Sequence, residues 1–211
     1  MRHPHDSPAA HRLQRPRRGS ASRRLSAAYV QAWQARNPHG TVSYRDLAVD
    51  TPGFVSPEWI TGVFGPAEAA TEETKAAVAA SEALIRELED ADVLVLGVPM
   101  YNFGVPATFK AWIDQVVMGG RTFAFGDNGP EGLLKGKKAV VLRASGSDFD
   151  NPAFAPMDFH APYIRGVLGW IGITDVEFIA VNGYTPEQVE VAIQEAAKAI
   201  TAHADTASLA A

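Results

Sequence analysis

The segment PMYNFG, residues 99–104, sets two aromatic rings, Tyr101 and Phe103, beside the amide of Asn102 and closes on a glycine. The rings offer flat apolar surface, while the amide and the surrounding backbone offer hydrogen bonds. A planar, partly polar ring system requires both. Asn and Gly are also frequent turn formers, so the residue types alone leave an ordinary tight turn open as the alternative. A second segment, ASGS at 144–147, combines a glycine that permits close backbone approach with two hydroxyls able to bond a ligand rim. The chain has no cysteine, which excludes a disulfide framework, a thiolate metal site and a cysteine nucleophile. Redox chemistry would need a borrowed cofactor.

Both segments stand where an α/β sheet presents a ligand. DVLVLGVP (92–99) and KKAVVLRAS (137–145) are continuous apolar runs of the kind expected for parallel strands buried on both faces. Ligands of such sheets sit beyond the carboxyl ends of the strands. Upstream, residues 20–36 put Leu25, Ala28, Tyr29, Ala32 and Trp33 at helical spacing, between a serine-rich start and Asn37-Pro38. TVSYRDL (41–47) reads as a strand, 50–66 as a long excursion with one helical turn near Pro57, and 67–90 as a long helix. Residues 106–118 read as a helix with proline in its first turn, 157–170 as another, 174–181 as a last strand and 186–203 as a closing helix. The alternation predicts an α/β fold, a doubly wound parallel sheet with helices on both faces. One domain over residues 19–205 is expected from a chain of 211 residues that is 46% hydrophobic.

The net charge of −5 hides an asymmetry. Seven arginines face only Asp6 within the first 24 residues, leaving −11 on the remainder. That basic stretch has no aromatic residue before Tyr29 on which a base could stack, so no nucleic-acid partner is expected. Pro4, Pro8 and Pro16 spoil the amphipathic helix of an organelle transit peptide. The longest apolar runs fall far short of the roughly 20 residues needed to cross a bilayer, so a cytoplasmic protein without membrane contact is expected.

PMYNFGVPATFKAWIDQVVMGGRTFAFGDNGPEGLLKGKKAVVLRASG (99–146) resembles the core of the FMN-dependent NADH-azoreductases, a family that overlaps with the NAD(P)H:quinone reductases and is flavodoxin-like. The resemblance extends back through SASRRLSAAYVQAW (20–33) and YRDLA (44–48) and forward through LGWIGITDVEFI (168–179). It implies that Met100, Tyr101, Asn102 and Phe103 hold one edge of the FMN ring, largely through the main chain, and that Ala144, Ser145, Gly146 and Ser147 hold its pyrimidine side. The family usually ends this second loop on two glycines, so Ser147 is a departure. Ser20, Ala21 and Ser22 match the family's phosphate-binding turn, where hydroxyls, amides and the helix dipole meet an anion; read alone they are a helix N-cap. Phe123 and Phe125 fall in the segment near the substrate face of the flavin, with core or dimer-interface packing as the alternative for Phe123.

The resemblance further implies FMN as bound cofactor, NADH or NADPH as donor, a quinone or azo compound as acceptor, and a homodimer. No protein group need act as a catalytic acid, because the flavin carries the hydride, so His160 is given no role, and no metal is expected. Lys135, Lys137 and Lys138 read as a solvated turn before a strand rather than a phosphate clamp. An electron-transfer flavodoxin, or a remnant that no longer holds FMN, are the competing readings.

One part of the chain departs from the pattern. A flavodoxin-like fold opens on a buried central strand, yet residues 1–18 contain no apolar run, three prolines and many charges, so the first strand is expected to be degraded. Dropping the first base of the His3 codon permits, with allowed codons, ILTILLLRIDSSAR over positions 3–16 before the printed frame resumes at RGSASRRLS. Residues 1–18 are therefore expected to be either disordered or frame-shifted.

Overall fold

Strand and helix alternate as the hydrophobic pattern requires. A computed structural model describes residues 9–12, 20–127 and 129–206. The elements are β1 (Ala9–Arg12), α1 (Ala21–Arg36), β2 (Thr41–Tyr44), α2 (Pro57–Phe64), α3 (Glu72–Asp90), β3 (Val93–Pro99), α4 (Ala107–Val116), β4 (Phe123–Gly126), β5 (Gly129–Gly132), β6 (Lys138–Ser145), α5 (Ala161–Trp170), β7 (Asp175–Asn182) and α6 (Pro186–Thr206). Five strands pair in parallel in the order β2-β1-β3-β6-β7, and β4 and β5 form a separate antiparallel hairpin. This is the doubly wound flavodoxin-like arrangement, in which strand order reverses between β1 and β3.

The apolar run of β3 divides its side chains between two cores, because successive residues of a strand face opposite ways. Leu94, Leu96 and Val98 pack with Trp59, Ile85, Leu88, Trp112 and Ile164 from α2, α3, α4 and α5. Val93 and Val95 pack with Leu25, Tyr29, Trp33 and Ile200 from α1 and α6. The ends of α3 are set by local chemistry. Thr71 and Thr74 cap its start reciprocally. At its far end the Lys137 ammonium donates to the carbonyls of Glu89 and Ala91 at 2.7 and 2.6 Å, where the helix dipole favours a cation. Lys137 is thus not a solvated turn residue. Lys138 likewise pairs with Glu177 at 3.0 Å, and only Lys135 remains on the surface, paired with Glu131.

The first strand is present in shortened form. Ala9–Arg12 occupies the position between β2 and β3, although nothing in its composition reads as a buried strand. A strand flanked by two formed neighbours gains main-chain hydrogen bonds on both sides whatever its side chains. Ala10 is small enough for the buried slot, and buried His11 reaches Ser43 Oγ through Nδ1 at 2.7 Å. The rest of the expectation for residues 1–18 falls at 1–8 and 13–18, outside the described residues. The helical turn expected near Pro57 is the start of the eight-residue α2, and the β4–β5 hairpin is an element for which the sequence carries no strand signal. Among the described residues no helix is long and apolar enough to cross a membrane.

A buried polar chain secures the excursion between β2 and α2. Trp59 Nε1 donates to Ser81 Oγ at 2.7 Å, Ser81 donates to Gln115 Oε1, and Gln115 Nε2 donates to the Gly53 carbonyl at 2.8 Å. Gln115→Leu leaves both the Ser81 hydroxyl and the Gly53 carbonyl without that partner and is expected to destabilise the fold by about 1–3 kcal/mol in urea unfolding.

Candidate functional site

The site gathers at the carboxyl ends of β1, β3 and β6. A cavity of about 340 Å³ opens at the strand reversal, lined by Ser20 and Arg23 of the α1 start, Leu47 and Ala48 after β2, the end of β3 with Tyr101, and the first turn of α4. A larger hollow of about 360 Å³ lies between α2 and α3 around Gly62, Thr74 and Glu82, away from every strand end. The smaller one is the better candidate because the sheet topology converges on it.

The 99–104 segment forms a two-residue turn. Tyr101 and Gly104 exchange both main-chain bonds at 3.0 and 3.1 Å, and the residues between them, Asn102 and Phe103, have φ of 46° and 71°. Asn tolerates the left-handed region because its short amide can bond locally, whereas Phe enters it only under strain. The Phe103 carbonyl accepts from the Phe159 amide at 3.1 Å and its ring meets Phe149 edge-on, so tertiary contacts hold the strained turn. The amides of Asn102 and Phe103 make no hydrogen bond among the described residues. The Tyr101 ring is 64% exposed and flanks the cavity.

The 144–147 segment lies alongside. Pro99 pairs in register with Ala144, and the Met100 amide donates to the Ala144 carbonyl at 2.8 Å, joining the two loops. The single hydrogen of the Ser145 hydroxyl is shared between two acceptors, the Ser147 carbonyl at 3.0 Å and Asn182 Oδ1 at 2.7 Å. The Ser147 hydroxyl shares a 2.6 Å bond with that of Tyr184. The serine side chains of this loop are thereby engaged with protein, and the amides of Gly146 and Ser147 make no hydrogen bond among the described residues.

At the third loop, Ser20 is the N-cap residue of α1 with no side-chain capping bond, Ala21 opens the helix and Ser22 is buried. Arg23, which sequence reading passed over, grips Asp46 through two bonds of 2.6 and 2.9 Å, both residues being buried. Asp46 also accepts from the Ala48 amide at 3.1 Å, so this pair fixes the α1 start against the cavity wall. The signal was a charged residue beside the apolar stripe of α1, matched by the lone acid of YRDLA. Phe123 packs edge-on against Phe125 and Trp170, while Phe125 is 76% exposed, and neither lines the cavity.

His160 lies beneath the first loop. Its Nε2 faces the Val98 carbonyl at 3.1 Å and so carries the hydrogen, since a carbonyl can only accept. Burial pushes its pKa from 6.5 down to about 4; the Val98 carbonyl and Asp158 oppose that shift, and Arg143 reinforces it. The ring is neutral near pH 7 and offers no proton to a substrate.

The reversal of strand order, with the segments after β1, β2 and β3 lining one crevice and the 144–147 loop beside the last of them, defines a flavodoxin-like α/β protein. A family model described as a flavodoxin-like fold matches residues 13–204. An FMN-dependent NADH:quinone oxidoreductase of Azotobacter vinelandii is 47% identical over 165 residues, 78% of this chain and 81% of that one. A solved azoreductase from Bacillus anthracis str. Sterne superposes with a TM-score of 0.82 at 26% identity, covering 92% of this chain and 99% of that one. A second Bacillus anthracis structure, an FMN-dependent NADH-azoreductase in complex with FMN, shares the fold with a TM-score of 0.83 at 18% identity, covering 93% of this chain and 99% of that one. The chain belongs to this flavodoxin-like family, that of the FMN-dependent NADH:quinone oxidoreductases.

Two outcomes follow from the buried groups. Asp46→Ala removes both carboxylate bonds from the buried Arg23 guanidinium and is expected to cost about 3–5 kcal/mol of unfolding free energy, measured by denaturant titration. For His160, the unfolded chain takes up a proton near pH 6.5 whereas the folded chain resists until about pH 4. Its contribution is complete above pH 6.5 and is lost as pH falls towards 4. His160→Gln is expected to flatten the fall in melting temperature across that window. The slope that remains belongs in part to His11, which burial also holds below its ordinary value.

Proposed function

We propose that the chain is an FMN-dependent NAD(P)H oxidoreductase that reduces quinones by two electrons and cleaves azo bonds, and that it works as a homodimer. The observation that carries this reading is the pairing of two loops, 99–104 and 144–147, whose amides at Asn102, Phe103, Gly146 and Ser147 have no partner among the described residues, at the strand ends where parallel sheets take ligands. Unpartnered amides beside exposed Tyr101 and Phe103 suit a flat ring with a polar edge, and the relatives' names supply FMN.

FMN, when bound, supplies hydride acceptance and donation. In this reading the amides of the two loops hold the ring edges, and Tyr101 and Phe103 keep water from its side. Ser20 and Ser22, at the amino end of α1, hold the phosphate. His160, buried and neutral, only props the end of β3. Nicotinamide donor and acceptor would use the same open side in turn, which gives ping-pong kinetics. Exposed rings at Phe54, Phe125 and Phe159 are surface that a second copy would bury.

The test is steady-state oxidation of NADH by the purified, FMN-loaded chain with a quinone and no partner reductase. Sustained turnover with parallel double-reciprocal plots is expected. FMN that is reduced only when a separate reductase is added would instead make the chain an electron carrier.

A further inference from the structure

Tyr184 belongs to none of the segments that resemble the family's cofactor loops, yet it is bound to one of them. It precedes α6 in the sequence TPEQ, residues 185–188, which caps the helix reciprocally: the Gln188 amide donates to Thr185 Oγ1 at 3.3 Å, and Gln188 Oε1 accepts from the amides of Thr185 and Tyr184 at 3.2 and 2.9 Å. Next to it, the Gly183 amide donates to the Ser145 carbonyl at 3.0 Å, and the Asn182 side chain bonds Ser145 Oγ and Asp148. The backbone at Tyr184 is therefore fixed from both sides.

From this anchor the side chain reaches over the 144–147 loop. A Cβ on Gly146 would come within 2.5 Å of the Tyr184 ring, so the ring lies directly on that glycine. Its hydroxyl shares the 2.6 Å bond with Ser147 Oγ, and the Tyr184 side chain is 79% exposed, so the bond draws Ser147 Oγ to the solvent side of the loop. Position 147 is a serine, so the loop carries a side chain beside both amides. A side chain there would otherwise be free to turn across the Gly146 and Ser147 amides.

We propose that Tyr184 is a positioning residue for the ring-binding loop: stacked on Gly146 and bonded to Ser147, it holds the serine side chain outward and keeps the two amides presented to the flavin ring. The proposal rests on the FMN reading above. It also accounts for the glycine at 146, because an alanine there displaces the Tyr184 ring and breaks its bond to Ser147.

The experiment is a cycle of Tyr184→Phe, Ser147→Gly and the double variant, with dissociation constants for FMN and for riboflavin read from quenching of flavin fluorescence, and backbone amide NMR order parameters of the flavin-free chain. Tyr184→Phe keeps the ring and removes only the hydroxyl. It is expected to weaken both flavins equally, by about three- to tenfold, the range of one lost net hydrogen bond. In the Ser147→Gly background the same change is expected to have no effect, because no side chain remains to restrain. The NMR order parameters at Gly146 and Ser147 are expected to fall in Tyr184→Phe while the melting temperature stays within a few degrees of wild type. Gly146→Ala is expected to reproduce the loss. Equal effects of Tyr184→Phe with and without Ser147, weakening of FMN alone, or unchanged order parameters at the loop would each overturn the proposal. A wild-type chain that binds neither flavin would instead overturn the cofactor reading, and the order parameters of the loop would still decide the role of Tyr184.

Discussion

The 2.8 Å bond from the Met100 amide to the Ala144 carbonyl is the constraint on which the site depends. It continues the β3–β6 ladder one residue past the strand end, so two loops that are 44 positions apart in sequence leave the sheet side by side. Everything the loops present follows from that alignment. The turn at 101–104 exposes its amides because two consecutive residues take positive φ, and the 144–147 loop exposes its own because its hydroxyls are bonded elsewhere. The cores behind β3 and β6 hold the ladder rigid, with Leu94, Leu96, Val141 and Leu142 fully buried.

A cost is visible in the same place. Phe103 at φ 71° is a conformation that glycine would adopt without strain. Contacts from Phe149 and Phe159 hold it there, and the gain is a part-exposed aromatic ring in place of a bare turn. The third loop is held by charge instead of strain. The buried Arg23–Asp46 pair ties the start of α1 to the segment after β2 and so fixes one wall of the cavity.

Most of the sheet was legible in the sequence because buried parallel strands leave continuous apolar runs, and β3 and β6 match theirs to within a residue. β1 was not, since four residues with a buried histidine carry no such signature and their pairing is decided by the neighbours. The β4–β5 hairpin escaped because GPEG has the composition of a turn. In the site, PMYNFG and ASGS were readable from residue types. The Arg23–Asp46 and Ser147–Tyr184 contacts were not, because each joins residues far apart in sequence. Lys137 was misread because its distance from the end of α3 is small only in the fold.

The central claim, that three loops at the strand ends form one flavin cradle, is tested most directly by incubating the full chain with FMN, removing free flavin by gel filtration and recording the visible spectrum. A yellow protein with a saturable, stoichiometric flavin band perturbed from that of free FMN is the result this account predicts. A folded chain that emerges colourless at every FMN concentration would contradict it.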